Sequence, residues 1–145
     1  MRAVVALVVG AVLLVGVGSA YIMYRQLGSE TIMLKGEPVL QANGEGAQCG
    51  EVGFDVNARA LARWMYGVDK GKTMTGTVTV GGNEDQDVGL TIESPTNRTV
   101  FFEPHRAHEI QFEIVGTIRG EYRFEFDNRH STFSEKRVIV SVCVT

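Results

Sequence analysis

Apolar and polar residues alternate along most of the chain after residue 50, which is the pattern of half-buried β-strands. The clearest example is the stretch 120–127, whose inner face consists of three aromatic residues: Tyr122, Phe124 and Phe126. Its other face carries charged side chains, as expected of a strand with one solvated side. Asp127 and Asn128 end this run, because both side chains hydrogen-bond readily to local backbone. The pattern predicts a strand, a polar corner and a last β-branched strand.

Shorter runs of the same kind, separated by turn residues, predict the other strands. These runs are 51–56, 60–68, 73–80, 88–92, 98–103, 110–114 and 136–144. In 60–68 the alternation favours a strand over a short helix. In 98–103 we expect Val100 and Phe102 to face inward and Pro104 to end the strand. Many short strands with turns between them predict an all-β fold, an antiparallel β-sandwich over residues 49–145.

The first 25 residues have a different character. Residues 3–24 contain no charged side chain, and a run of about 20 apolar residues spans a bilayer as a helix. One interpretation is an uncleaved transmembrane signal anchor at residues 1–25; the other is a signal peptide cut after Gly18-Ser19-Ala20. The apolar run continues to Arg25, which is long for a signal peptide and favours the anchor. We therefore expect attachment to the membrane through residues 3–24.

Residues 26–48 are mixed in composition and predict a linker or stalk. Within it, 31–34 and 38–40 fit either short strands or extended chain. Asn43-Gly44-Glu45-Gly46 predicts a flexible joint, and we place the domain boundary near Cys49.

Composition and motifs exclude several kinds of chemistry. The 145 residues have a net charge of −3 with both signs mixed along the chain, so no basic patch indicates nucleic acid as a partner. No glycine-rich phosphate loop and no nucleophile motif occurs. We expect no catalytic residues, no cofactor and no enzymatic activity.

Two polar loops are the candidate binding residues, since binding residues concentrate on exposed loops. One loop carries Glu84, Asp85 and Asp87, and the other carries His105, Arg106 and His108. The two histidines lack the helix and glutamate of zinc proteases, and one acidic turn supplies too few oxygens for calcium, so we expect no metal site. Asn97-Arg98-Thr99 is an N-glycosylation sequon, which matters only outside the cytoplasm of a glycosylating cell.

The order of several motifs also resembles a known family. The motifs are Gly120-x-Tyr122-x-Phe124-x-Phe126-Asp127-Asn128, then Ser131-Thr132-Phe133-Ser134, with Lys70-Gly71-Lys72 and Asp87 to Pro95 upstream. Together they resemble the GOLD (Golgi dynamics) domain over about residues 50 to 145. The resemblance implies a jelly-roll-like β-sandwich of the kind found in transmembrane cargo receptors of early secretory vesicles.

The sequence departs from those receptors in two respects. Glu125 stands where they typically hold a cysteine, and no heptad repeat or second apolar span follows the sandwich. We therefore expect the fold and protein binding to transfer, and the coat-linked receptor role not to.

The two cysteines bear on location. Cys49 and Cys143 bracket the predicted domain, and the first and last strands of a sandwich are often neighbours, which predicts a disulfide bond. Such a bond requires an oxidising compartment. The alternative is two reduced thiols in a cytosolic domain. The charges that flank residues 3–24 favour a cytoplasmic amino terminus only slightly.

The expectation is thus a single-pass membrane protein with its C-terminal domain outside the cytoplasm. It would bind another protein, in protein trafficking or envelope assembly. A carbohydrate- or calcium-binding jelly-roll module is the alternative.

Overall fold

The alternating runs form ten β-strands in the computed structural model, which describes residues 30–82 and 86–145. In chain order they are β1 Glu30–Met33, β2 Gln41–Ala42, β3 Gln48–Val56, β4 Ala60–Val68, β5 Thr73–Gly81, β6 Val88–Glu93, β7 Thr99–Ala107, β8 Glu109–Val115, β9 Gly120–Asp127 and β10 Lys136–Val144. Sheet 1 has the order β1-β4-β9-β6-β7, and sheet 2 has the order β2-β3-β10-β5-β8. The predicted all-β sandwich is confirmed.

The pairings from β3 to β10 are nested. Strand β3 pairs with β10, β4 with β9, β5 with β8 and β6 with β7, all antiparallel. The stretch from β3 to β10 therefore folds back on itself as one long antiparallel ribbon. Successive strand pairs of this ribbon belong to sheet 2 and sheet 1 in turn, which is jelly-roll topology. Strand β1 is an exception to the predicted antiparallel order, since it runs parallel to β4.

The core lies between the inner faces of the two sheets. Tyr122, Phe124 and Phe126 are fully buried, as the aromatic face of β9 predicts. The ring of Phe124 packs 5.0 Å from that of Trp64 and 5.5 Å from that of Phe112, measured between centroids. Burying a large side chain of this kind stabilises the fold by about 2 to 3 kcal/mol. Sheet 2 contributes the valines of β5 and β10 together with inward-facing residues of β3 and β8.

The face of β7 differs from the prediction. Val100 and Phe102 are 40% and 62% exposed, whereas Phe101 packs against the core. In the pairing with β6, Phe101 is opposite the buried Ile92 and Phe102 is opposite Thr91, so Phe101 faces inward and Phe102 faces outward. A register shift beyond Phe101, where Glu93 pairs with Thr99, leaves Val100 unpaired. Pro104 does not end the strand either. Strand β7 is at the edge of sheet 1 and has a neighbouring strand on one side only. A proline, which has no backbone N–H, is therefore tolerated there without loss of a hydrogen bond between strands.

Residues 30–48, which the sequence predicts to be a linker, contribute one short strand to each sheet. Strand β1 pairs with β4, and β2 pairs with the start of β3. Between them, the carbonyl of Gly36 accepts a hydrogen bond of 2.8 Å from the indole N–H of Trp64. This contact satisfies the polar group of a fully buried core residue.

The predicted anchor at residues 3–24 lies outside the described residues. Within 30–82 and 86–145, no helix has the length and hydrophobicity to cross a bilayer.

Candidate interaction surface

Two of the predicted loop residues meet at one end of sheet 1. Asp87 precedes β6, and Arg106 lies near the end of β7. The Arg106 guanidinium Nε lies 3.9 Å from Asp87 Oδ2, and the ring Nε2 of His130 lies 3.0 Å from Asp87 Oδ1. Glu84 and Asp85, predicted beside Asp87, lie outside the described residues. Because Asp87 faces two basic side chains, its oxygens already have partners other than a metal ion.

His130 is held there by the corner between β9 and β10. The side-chain amide of Asn128 is fully buried and donates hydrogen bonds to the carbonyls of Asn57 and Ser134, at 3.0 and 3.1 Å. The hydroxyl of Ser131 also donates to the carbonyl of Ser134, at 3.0 Å. These bonds fix the polar corner that the sequence predicts and place the side chains that follow β9 beside Asp87.

Asp127 and Arg129 form a second ion pair at the same corner. The guanidinium of Arg129 donates from Nε to Asp127 Oδ1 at 2.9 Å and from a terminal nitrogen to Oδ2 at 2.7 Å. This hydrogen bond from Arg129 lowers the pKa of the Asp127 carboxyl group and raises that of the Arg129 guanidinium. The pair stays charged at neutral pH, and its two-point geometry fixes the direction of Arg129.

A groove of about 600 Å³ on the outer face of sheet 1 connects Arg106 and His130 with the Asp127–Arg129 pair. We call it the sheet 1 groove. It is lined by Gly89, Leu90, Thr91, Phe102, Glu103, Pro104, Arg106, Asp127, Arg129 and His130. An exposed aromatic ring and three basic side chains therefore open onto the same concave surface.

The other predicted residues lie outside this cluster. His105 is exposed in β7, where its backbone N–H donates to Glu103 Oε1 at 3.0 Å. His108 is exposed in the next turn, and its carbonyl accepts a bond from the Val80 N–H. In the part of the chain that the structure describes, no group of three His, Cys, Asp or Glu side chains could hold a metal ion.

Asn97 is exposed in the turn between β6 and β7 and has a φ of 58°. Asparagine tolerates this left-handed conformation better than most residues. The amide of the sequon is therefore open to solvent at a turn.

The predicted disulfide is confirmed. Cys49 and Cys143 are directly opposite each other in the β3–β10 ladder, with Cα atoms 4.1 Å apart and a bond between their sulfurs. The amide of Asn43 donates to the sulfur of Cys49 at 3.6 Å. The bond ties the first long strand of the ribbon to the last.

Glu125, in the position where the resemblance leads us to expect a cysteine, faces outward from β9. Its carboxylate accepts a bond of 2.7 Å from Arg63 and lies 3.3 Å from Arg123, which also pairs with Glu93. These charges form a ladder across three strands of sheet 1. In place of the expected thiol, Glu125 therefore provides the central carboxylate of an ion-pair network on the surface.

Sequence reasoning missed Phe102, Asp127, Arg129 and His130 as parts of one site. The signal for Phe102 was present, because two adjacent phenylalanines in a strand cannot both face inward. The signal for the other three was not local. Their position beside Asp87 follows from the jelly-roll pairing, which brings the β5–β6 and β9–β10 connections to the same end.

The fold and this surface define a jelly-roll β-sandwich with a groove on the outer face of sheet 1. The family model described as emp24/gp25L/p24 family/GOLD matches residues 53–145, and the chain belongs to that family.

Solved structures with a similar arrangement include two periplasmic lysozyme inhibitors of g-type lysozyme. Aeromonas hydrophila PliG has a TM-score of 0.48 and 15% identity, and the match covers 80% of this chain and 96% of that one. A mutant of the Escherichia coli PliG has a TM-score of 0.41 and 9% identity, with 81% and 100% covered. No curated protein matches the chain. The family match over residues 53–145 is the comparison on which the functional argument rests.

Proposed function

We propose that this protein is a membrane-tethered GOLD-domain β-sandwich that binds another protein through the sheet 1 groove, outside the cytoplasm. Membership of the GOLD family supports a partner in protein trafficking. A second candidate role is that of a subunit in an envelope assembly, in which the sheet 1 groove would bind another subunit.

The exposed ring of Phe102 is the observation that carries the proposal. It is 62% exposed in a groove that also contains Arg106, Arg129 and His130. Aromatic and arginine side chains are enriched at the centres of protein interfaces, where they contribute most of the binding energy. The sheet 1 groove has the composition of such an interface, since it combines one exposed aromatic ring with three basic side chains.

Binding explains the groove better than catalysis does. Asp87 and His130 have the residue types of two members of a catalytic triad, but the described lining contains no serine or cysteine to serve as the nucleophile. Calcium binding is also less well supported, because Asp87 already faces His130 and Arg106. We therefore expect calcium to leave the melting temperature unchanged.

The test of binding is affinity capture of the full-length protein from its own membrane. We expect Phe102→Ala to lose the partner that the wild type captures. The matched control is Phe133→Ala, which removes a 96% exposed ring that does not line the groove. Equal capture by both variants would contradict the proposed surface.

The membrane attachment has a separate test. Residues 3–24 should keep the full-length protein in the pellet after carbonate extraction, because a span of about 20 apolar residues is not removed by high pH. Release of a chain that begins at Tyr21 would show a cleaved signal instead, and the protein would then be secreted.

A further inference from the structure

The outer face of sheet 2 has a broad groove of about 980 Å³ that the proposed function does not use. We call it the sheet 2 groove. Its lining forms two rows across strands β3, β10, β5 and β8, set by the ladder registers. One row consists of Cys49, Cys143, Thr75 and Glu113, and the other consists of Glu51, Ser141, Thr77 and Gln111.

The charged side chains among the described lining of the sheet 2 groove are all acidic. Its charged side chains are Glu51 and Glu113, and no lysine or arginine is among the described residues that line it. The hydroxyl of Ser141 donates to Glu51 Oε2 at 3.0 Å, which orients that carboxylate. Glu113 is exposed on β8. The groove is therefore complementary to a ligand with positive charges.

The two carboxylates lie on opposite sides of the groove. Adjacent strands are about 4.8 Å apart, so three intervals separate β3 from β8 by about 14 Å. Glu51 and Glu113 are also in different rows, about 7 Å apart along the strands, so their Cα atoms are about 16 Å apart. An extended chain rises about 3.3 Å per residue, which puts side chains four positions apart at about 13 Å and on the same face. The difference of about 3 Å is within the reach of a long, flexible lysine or arginine side chain.

The floor between the carboxylates suits an extended backbone. Thr75, Thr77 and Ser141 present hydroxyl groups, and Gln111 presents an amide. These groups both donate and accept hydrogen bonds, as the N–H and carbonyl groups of a peptide require. Phe112, the aromatic residue of the described lining, has its ring buried in the core, which leaves no stacking surface for a sugar.

We propose that the sheet 2 groove binds an extended, basic segment of a partner protein that crosses the strands. Two lysine or arginine side chains four positions apart occupy the groove, one at Glu51 and one at Glu113. This site is on the opposite face of the sandwich from Phe102, so it does not depend on the sheet 1 groove.

The test uses the full-length protein in detergent and a fluorescein-labelled synthetic peptide, in which Lys-Ser-Ser-Ser-Lys is flanked by glycine and serine. Binding is followed by fluorescence polarisation at low salt. We expect Glu51→Gln with Glu113→Gln to weaken binding about fivefold to tenfold, as loss of two exposed ion pairs implies. Glu113→Gln alone, at an exposed position, should give part of this loss.

Three controls define the result. Glu121→Gln, which removes an exposed carboxylate on sheet 1, should bind like the wild type. A peptide with Lys-Ser-Lys should bind more weakly, because its charges reach only one carboxylate at a time. Phe102→Ala should leave the affinity unchanged, so that failure of the sheet 1 proposal is distinguishable. Equal binding by the double variant, equal binding of the two peptides, or binding of a neutral oligosaccharide in place of the peptides would overturn the inference.

Discussion

At the scale of single residues, Phe124 tests the assigned inner face of β9. It is fully buried between Trp64 and Phe112, so a carboxylate placed there would have no partner. We expect Phe124→Asp to unfold the domain, because an unpaired buried charge costs several kcal/mol. Phe133→Asp makes the same change at a 96% exposed ring and should melt like the wild type. Similar cooperative melting of both variants would refute the assigned inner face.

Asp127 gives the stability a dependence on pH. Its pKa is lower in the folded protein than in the unfolded chain, mainly because of the hydrogen bond from Arg129. The contribution is therefore fully present above the unfolded pKa of about 4 and is lost as the pH falls through the lower folded value. Relative to Asp127→Asn, we expect a wild-type stability advantage that is constant near neutral pH and shrinks below about pH 4.

Chemical denaturation at a series of pH values measures that advantage. Since the pair is half-exposed, the gain should be modest. In an Arg129→Gln background the advantage should be much smaller at every pH. A gap between wild type and Asp127→Asn that persists unchanged to pH 2 would mean that Asp127 is not the titrating group.

Residue-level predictions from the sequence succeeded where the alternation was uninterrupted. In β9 the aromatic face is buried as predicted, because no bulge interrupts that strand. In β7 the predicted faces were exchanged, because Phe101 pairs with the buried Ile92 and faces the core in place of Phe102. Two adjacent phenylalanines in a strand show that one faces outward, but the sequence does not show which one. The prediction therefore placed Phe102 in the core, whereas it lies on the surface.

At the scale of strands, β5 lies unusually close to its neighbours at Gly76. A Cβ atom there would be 2.5 Å from the Phe112 ring and 2.5 Å from the carbonyl oxygen of Ser141. We expect Gly76→Ala to lower the free energy of unfolding by about 1 to 3 kcal/mol, since a backbone atom cannot move aside cheaply. Gly67→Ala in β4 meets nothing within 4 Å and should change it by less than about 1 kcal/mol. Urea denaturation of both variants measures the difference, and an equal effect would argue against close packing at β5.

The strands themselves could largely be predicted from the sequence, whereas the pairing between strands could not. Strand β1 shows why: its four residues carry a weak pattern, and its parallel pairing with β4 depends on contacts with a segment 30 residues away. The ordering of β6 between β9 and β7 likewise results from folding of the whole ribbon. Local alternation carries no information on these choices.

At the scale of the whole molecule, the Cys49–Cys143 bond closes a loop with a sequence separation of 94. The chain-entropy model assigns such a loop about 4 to 5 kcal/mol of stabilisation. We expect replacement of both cysteines by serine to lower the free energy of unfolding by up to this amount. Addition of a reductant should destabilise the wild type and leave the double variant unchanged. Free thiols at both positions in unreduced native protein would contradict the bond.

The candidate surface also belongs to this scale. Asp87, Arg106 and His130 come from three separate parts of the sequence, and only the jelly-roll pairing brings them to one end of sheet 1. Sequence analysis found the first two as separate loops because polar loop residues are recognisable locally. Their meeting with His130 and Phe102 required the three-dimensional arrangement.

The most direct test of protein binding through the sheet 1 groove is photo-crosslinking of the full-length protein in its own membrane. A benzophenone amino acid at position 102 should form an adduct with a partner protein. The same group at position 121, exposed at the other end of β9 on the same outer face, should form none. Absence of an adduct at position 102, or equal adducts at both positions, would contradict the proposed function.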